Sequence, residues 1–301
     1  MTYITCNLKG GLGNQLFQIA CGLSLAKKHN CNFVIDKAHI GDRGQGSHPE
    51  KYYQNIFERI IVYDSTYKSE NTFYYKEQGF AWQNLDPIIS DSIKKWGQKI
   101  VLNGFFQSEK YFSEFGFYIY DTFTPPEGLR EWIKKETNLF LRFPELDPYK
   151  VGLVTTRCLV GVRRGDYLKD TSNIQYHNPC GLDYYKKAFE VVPVDIYYVI
   201  SDDIDWCKKE FMKEFPGLRF VFLEEPDDLV TFCFARLFRN YICANSSFHW
   251  WASYLSYYNK KGLGESLEET MMGKVVCPAK HFGHSGPQDY ADYFRKDMIL
   301  L

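Results

Sequence analysis

The sequence predicts a two-domain α/β protein in which each half is a parallel sheet with helices on both faces. Three observations carry that prediction. The chain opens with an apolar run, a glycine turn, a helical pattern and a second apolar run, which is a βαβ unit. From residue 158 to residue 277 short apolar runs alternate with helical patterns, and such alternation builds parallel sheets. Between these regions, Pro125-Pro126 and the stretch Leu141–Lys150, with Pro144 and Pro148, read as a linker. The domains are expected at residues 1–150 and 151–301, with a cleft between them.

The elements follow in order. Ile4–Leu8 reads as a buried strand and Lys9–Gly13 as a tight turn. Asn14–His29 reads as a helix, with Leu16, Ile19, Ala20 and Leu23 at helical spacing and Asn14 as its cap. Asn32–Ile35 is a second strand, ending in Asp36. Residues 40–95 are rich in Tyr, Asn, Ser and Gly, and no regular element is assigned there. Ile100–Phe105 is read as a strand, and Glu109–Phe115 and Glu127–Phe140 as helices. In the second half, strands are expected at Cys158–Val162, Ile196–Ser201, Leu218–Leu223, Tyr241–Ala244 and Lys274–Cys277. Helices are expected at Leu182–Val191, Asp203–Glu214, Pro226–Phe238 and Ser247–Tyr257.

Composition narrows the function classes. Hydrophobic residues are 45% and charged residues 24% of the 301, which is ordinary for a soluble globular protein. The formal net charge of −1 argues against a nucleic-acid binder, since basic runs stop at pairs such as Lys27-Lys28 and Lys134-Lys135. Aromatics reach 18%. Ring faces pack well on sugar C–H groups, but composition alone favours a core of large side chains. The nine cysteines are odd in number, widely spaced and without a CxxC pair. They read as reduced, small hydrophobes with no zinc ligand set. The N-terminus lacks a signal-peptide pattern, and no apolar run reaches the roughly 18 residues of a membrane span. A cytoplasmic protein with at most peripheral membrane contact is expected.

Four segments carry chemistry. Gly10-Gly11-Leu12-Gly13-Asn14-Gln15 follows the first strand. Glycines there let backbone approach a ligand, and the next helix start attracts anions. With Asp36 as a ribose partner this is a partial dinucleotide fingerprint lacking its third glycine, and a plain strand-to-helix turn explains it as well. Arg163-Arg164-Gly165-Asp166-Tyr167 ends an apolar strand, where open sheets bind ligands. The arginine fork suits a diphosphate. One arginine of the pair is expected at the cleft and the other on Asp166, holding the loop; the competing reading is an ion pair that only ties the loop. Ser201-Asp202-Asp203 ends the next strand. Its carboxylates suit a divalent metal, a base edge or ribose hydroxyls, and helix capping is the expected fate of one of them. Ala244-Asn245-Ser246-Ser247-Phe248-His249-Trp250-Trp251 opens a helix, where hydroxyls and N–H groups suit phosphate oxygens and the two tryptophans suit a core. Two arginines and a helix start on one pyrophosphate would offset the charge of a departing nucleoside diphosphate without a metal.

These segments resemble the α-1,2-fucosyltransferase family, in order and over nearly the whole chain. The resemblance covers Gly10–Gln18, Gly104–Phe112, Arg163–Tyr167, Ser201–Asp203, Ala244–Trp251 and the tail segment Pro278–Phe282. It implies a GT-B arrangement of two Rossmann-like domains facing a central cleft, acceptor-side in 1–150 and GDP-sugar-binding in 151–301. It implies an inverting, metal-independent transfer of fucose from GDP-fucose to a hydroxyl of a β-galactoside glycan, with no further cofactor. By resemblance Arg163 contacts the donor β-phosphate, Asp202 or Asp203 the guanine, and Ser246-Ser247 the phosphates. Asn14 faces donor or acceptor across the cleft. Gly11, Gly13, Arg164, Asp166 and Asn245 complete the expected donor site, and Arg163, Asn14 and Asp36 the expected catalytic set. For the general base, Asp36, His39, Asp42 and His48 are the candidates. The family carries a histidine two positions before the first arginine; here that position is Gly161. The alternatives are another GDP-sugar or linkage, a nucleotide-sugar-binding protein that has lost catalysis, and an NAD-dependent oxidoreductase resting on the N-terminal glycines.

Overall fold

Residues 2–41, 46–65, 71–96, 99–129, 131, 157–225, 227–262 and 273–301 are described by the structure, a computed structural model. They form two units, each with its own parallel sheet. The first is Met1–Pro126 with Asp289–Arg295, the second Glu127–Gln288 with Lys296–Leu301. The division falls at Pro126 rather than at 150, and a piece of the C-terminal tail returns to the first unit. Charge and backbone explain the return. Asp289 Oδ2 accepts from the Phe80 and Ala81 amides at 2.7 and 3.1 Å, and Asp292 Oδ2 from the Trp82 amide at 2.9 Å. Lys110 pairs with Asp292 as well.

The first unit carries β1 (Tyr3–Cys6), β2 (Asn32–Asp36), β3 (Ile61–Tyr63), β4 (Thr72–Lys76) and β5 (Lys99–Asn103) in the order β3-β2-β1-β5-β4, all parallel. Its helices are α1 (Leu12–Lys28), α2 (Asp86–Trp96) and α3 (Gly116–Thr122). Helix α1 is buried on nearly every side, so its apolar residues are not confined to a stripe. It starts at Leu12 with Gly11 as N-cap, two residues before the expected start. Asn14 therefore lies in the first turn and does not cap the helix. The two unexpected strands, β3 and β4, are the sheet's edges. Edge strands bury little, and Ile61, Tyr63 and Tyr74 are exposed, so the short runs Ile60–Tyr63 and Phe73–Tyr75 lack the burial on both faces of a central strand. The helix expected at 109–115 is two short 3₁₀ turns, Glu109–Tyr111 and Ser113–Phe115. The helix expected over 127–140 and the linker over 141–150 lie for the most part outside the described residues.

The second unit carries β6 (Arg157–Val162), β7 (Ile196–Ser201), β8 (Phe220–Phe222), β9 (Asn240–Ile242), β10 (Val275–Cys277) and β11 (Met298–Leu300). They pair in the order β11-β10-β9-β6-β7-β8, all parallel. Counted from β6, the order is 3-2-1-4-5-6, that of a Rossmann sheet. Its helices are α4 (Thr171–His177), α5 (Leu182–Val191), α6 (Ile204–Glu214), α7 (Asp228–Ala235) and α8 (Ser247–Gly262). The expected strands and helices of this half are all present, to within a few residues at their ends; β11 and α4 were not expected. Burial is the reason for the legibility: β6, β7, β9 and β10 are covered on both faces and read as unbroken apolar runs. The core packs Cys158, Val160 and Val162 against Tyr185, Phe189 and Phe211.

All nine cysteines are free thiols. Burial pushes the thiols of Cys6, Cys21 and Cys158 up, away from the reactive thiolate. Among the described residues no helix is long and apolar enough to cross a membrane.

Candidate functional site

The order in which successive strands are added reverses in the second sheet between β6 and β9, which are parallel neighbours. Ligands of open α/β sheets sit beyond the strand ends at such a switch point. What the sequence places there is Arg163 after β6, Asn245–Ser247 after β9, and Ser201–Asp203 at the end of β7 on the other side of β6.

The arginines are both held by carboxylates. Arg163 Nη2 lies 2.7 Å from Asp166 Oδ1, and its Nη1 lies 3.1 Å from Asp202 Oδ2. Arg164 Nε lies 3.1 Å from Asp203 Oδ2, and its guanidinium stacks 3.6 Å above the Trp206 ring. The expected division of labour, one arginine at the ligand and the other on Asp166, is thus corrected: Arg163 itself carries the Asp166 bridge. Burial favours the neutral form of Arg163, but Asp202 and Asp166 outweigh it and raise its pKa, so the guanidinium stays charged. With 32% of its side chain exposed, it reaches the surface.

The aspartates are equally committed. Asp202 Oδ1 accepts from the Arg164 amide at 2.9 Å. Asp203 caps α6, accepting from the Trp206 amide at 3.3 Å, which is the capping role expected of one of the pair. A metal at these two residues would have to displace a guanidinium or a backbone amide.

Asn245 is corrected from ligand contact to internal clamp. It is 2% exposed. Its Nδ2 donates to the carbonyls of His177, Asn178 and His281, joining three loops. Tyr167 Oη donates to the Asn245 carbonyl at 2.9 Å while its ring stacks on His177 at 4.0 Å. Ser246 and Ser247 are half-buried at the start of α8, where first-turn N–H groups and the dipole favour an anion. His249, in the same turn, was not singled out by sequence reasoning. Its ring lies against Gly161, and burial together with the charge of Arg163 pushes its pKa down to about 3.

Gly11, Gly13, Asn14 and Asp36 lie in the first unit. The close approach that the glycine turn permits is made by the chain itself: a Cβ on Gly46 would stand 2.4 Å from Gly11 Cα. Gln15 Nε2 donates to the carbonyls of Gly10 and Ser47, and Gln18 exchanges two bonds with the backbone of Lys9. Gly13 is buried within α1. Asn14 Oδ1 accepts from Gln107 Nε2 at 2.6 Å, which joins the first segment to Gly104–Phe112. That second segment turns through Phe106, at φ +52. Glu77, another residue sequence reasoning missed, holds this turn by accepting from the Phe105 and Phe106 amides at 2.7 and 3.0 Å. No motif marks Glu77, which follows an edge strand.

Asp36 is corrected as a base. Its side chain is fully buried, 2.7 Å from Lys99 Nζ and 2.6 Å from Ser65 Oγ. Burial alone would raise its pKa, but Lys99 and Ser65 hold it below the usual carboxylate range. Such a group is a poor proton acceptor and an acceptor hydroxyl cannot reach it. Of the other candidates, His48 Nδ1 accepts from the Glu50 amide at 3.3 Å, burial lowers the pKa of His39, and Asp42 lies outside the described residues.

This chain is similar to known proteins. The chain belongs to glycosyl transferase family 11, whose sequence model matches residues 81–262. That span holds four of the resembling segments, including both arginines and the start of α8. An alpha-1,2-colitosyltransferase of Escherichia coli is 28% identical over 86% of this chain and 89% of its own. A galactoside 2-alpha-L-fucosyltransferase of Caenorhabditis elegans is 26% identical over 89% of this chain and 73% of its own. Among solved structures, POFUT1 in complex with GDP-fucose aligns over 86% of this chain and 94% of its own, at 10% identity and a TM-score of 0.48.

Proposed function

We propose that the chain transfers a 6-deoxyhexose from a GDP-sugar to a galactoside hydroxyl, with inversion and without a metal. One observation carries the reading: Arg163 and the start of α8 flank the switch point of the Rossmann-ordered sheet. In the reaction, the acceptor oxygen forms a bond to the anomeric carbon as the bond to the diphosphate oxygen breaks, and the acceptor hydroxyl gives up its proton to water. Negative charge grows on that leaving oxygen. The Arg163 fork and the first-turn amides of α8 face this charge, fixed in place before reaction, and so stabilise the transition state more than the ground state. Arg163 is pre-positioned by Asp166 and Asp202, and Arg164 by Asp203 and Trp206. Displacement from the face opposite the leaving diphosphate inverts the anomeric centre.

Fucose and colitose are the two donors to weigh, because the relative named for colitose transfer is 28% identical. Colitose is fucose lacking one hydroxyl. A site that hydrogen-bonds that hydroxyl rejects the deoxy sugar by about 10⁴, whereas an apolar seat rejects the extra hydroxyl by only about 10². The test is a transfer assay on β-galactosides with GDP-fucose, GDP-colitose, GDP-mannose and UDP-galactose, each with and without EDTA. Turnover with a GDP-6-deoxyhexose, unchanged by EDTA and giving an α-linked product, is expected. Turnover with UDP-galactose alone, or activity lost to EDTA and restored by Mn²⁺, would overturn the reading.

A further inference from the structure

Gly161 lies on β6, and Arg163 two residues further on, just past the end of the strand. At Gly161 the strand offers no side chain of its own. The space is filled from elsewhere: a Cβ built on Gly161 would stand 2.4 Å from Cε1 and Nδ1 of His249 and 2.5 Å from its Cγ. The imidazole is therefore seated on the bare strand backbone. It is 5% exposed, and its Nδ1 is buried without a hydrogen-bond partner among the described residues. Buried polar atoms in folded proteins are almost always paired, so an orphan calls for a reason. The ring also makes a backbone hydrogen bond with Ala244, which an apolar side chain in the same seat would forgo. The orphan lies at the switch point, against the residue two positions before the arginine assigned to the diphosphate.

We propose that His249 is a positioning residue for Arg163: its imidazole, seated on Gly161, forms the floor that keeps the guanidinium at the strand end, where it meets the donor diphosphate. The inference rests on the donor-site reading above. Two features of the geometry support it. The ring occupies the space over Gly161, so Arg163 cannot fold back over that backbone, and its fork is held between Asp166 and Asp202. Because α8 supplies both the floor and the first-turn amides, a shift of the helix moves both halves of the anion site together. Gly161, the departure from the family pattern, is on this account the room made for an imidazole delivered from the helix.

The test is calorimetric titration of GDP-fucose and GDP into the wild type and three variants, with melting temperatures and steady-state kinetics beside it. His249→Ser is expected to weaken donor binding about ten-fold or more and to raise the donor KM, leaving the acceptor KM unchanged. Gly161→His alone puts two rings in one seat and is expected to lose binding at least as far. Gly161→His combined with His249→Ser returns a ring to the seat from the strand side, and is expected to recover affinity to within about three-fold of wild type. Where His249→Ser melts too low to assay, Gly161→Ala asks the same question by pushing the intact ring off its seat, with the same expected loss. Wild-type donor affinity in folded His249→Ser or Gly161→Ala would overturn the proposal, as would a double variant no better than either single. A wild type that binds neither compound would refute the donor-site reading itself, and that arm is read first.

Discussion

Replacing Arg163 by alanine separates a binding role from a structural one. Its two ion pairs, at 2.7 and 3.1 Å, sit on a side chain with 32% exposure. Pairs this open contribute about 0–1 kcal/mol each after solvent screening. The fold should therefore lose no more than about 2 kcal/mol, a fall of a few degrees in melting temperature for a chain of this size. The expected loss in function is larger. A fork on diphosphate oxygens makes two charge-assisted hydrogen bonds, each about 1.5–3 kcal/mol. Losing both costs roughly 3–6 kcal/mol, or about 10²–10⁴ in donor kcat/KM. Removal also leaves Asp166 and Asp202 facing the ligand without their cation, which pushes the figure toward its upper end. Arg163→Lys keeps the charge without the planar fork and should fall between alanine and wild type. The assay is initial rate against donor concentration, with a melting curve on the same preparation. Near-wild-type kcat/KM in a folded Arg163→Ala protein would refute the reasoning.

How legible the molecule is in its sequence follows from burial. The second unit was readable because strands such as Val160–Val162 and Tyr197–Ile200 are covered on both faces. The first unit was readable only at its centre, β1, α1, β2 and β5. The edges β3 and β4, and α2 between β4 and β5, lie in a region where Tyr and Asn blur the pattern. Residue types at strand ends also singled out Arg163, Arg164, Asp166, Asp202 and Asp203, which ion pairs bring together. Their pairing was not legible, since it depends on which carboxylate reaches which guanidinium nitrogen. Asn245 and Asp36 look like ligand residues in a sequence because the same polar groups serve as internal clamps, and only the partners distinguish the two uses. His249 was hidden for the opposite reason: its significance depends on a glycine 88 positions away, which no local pattern connects to it.

Two further predictions follow from the first unit. Lys99→Met strands the buried Asp36 carboxylate and should cost about 3–5 kcal/mol at neutral pH by chemical denaturation. The folded wild type holds Asp36 below its unfolded value, so the stability this provides is present above about pH 4 and is lost as acid takes the pH through the folded value. In the variant burial pushes the carboxyl up against only the Ser65 and Ala38 hydrogen bonds, so the gap between the two proteins should narrow in acid; a gap that is constant with pH would contradict the ion-pair account. Gly46→Ala forces a Cβ to within 2.4 Å of Gly11 Cα and 2.5 Å of the Gly10 carbonyl. A loss of about 1–3 kcal/mol is expected in a melting experiment, and an unchanged melting temperature would show that the turn does not need the close approach.

The central claim is that the donor binds at the switch point of the second unit. Hydrogen exchange with and without GDP-fucose tests it most directly, because amides covered by a ligand slow locally. Protection is predicted in residues 163–168, 201–206 and 244–250. Protection of Gly10–Gln15 with none in those three segments, or no protection anywhere at saturating donor, would contradict it.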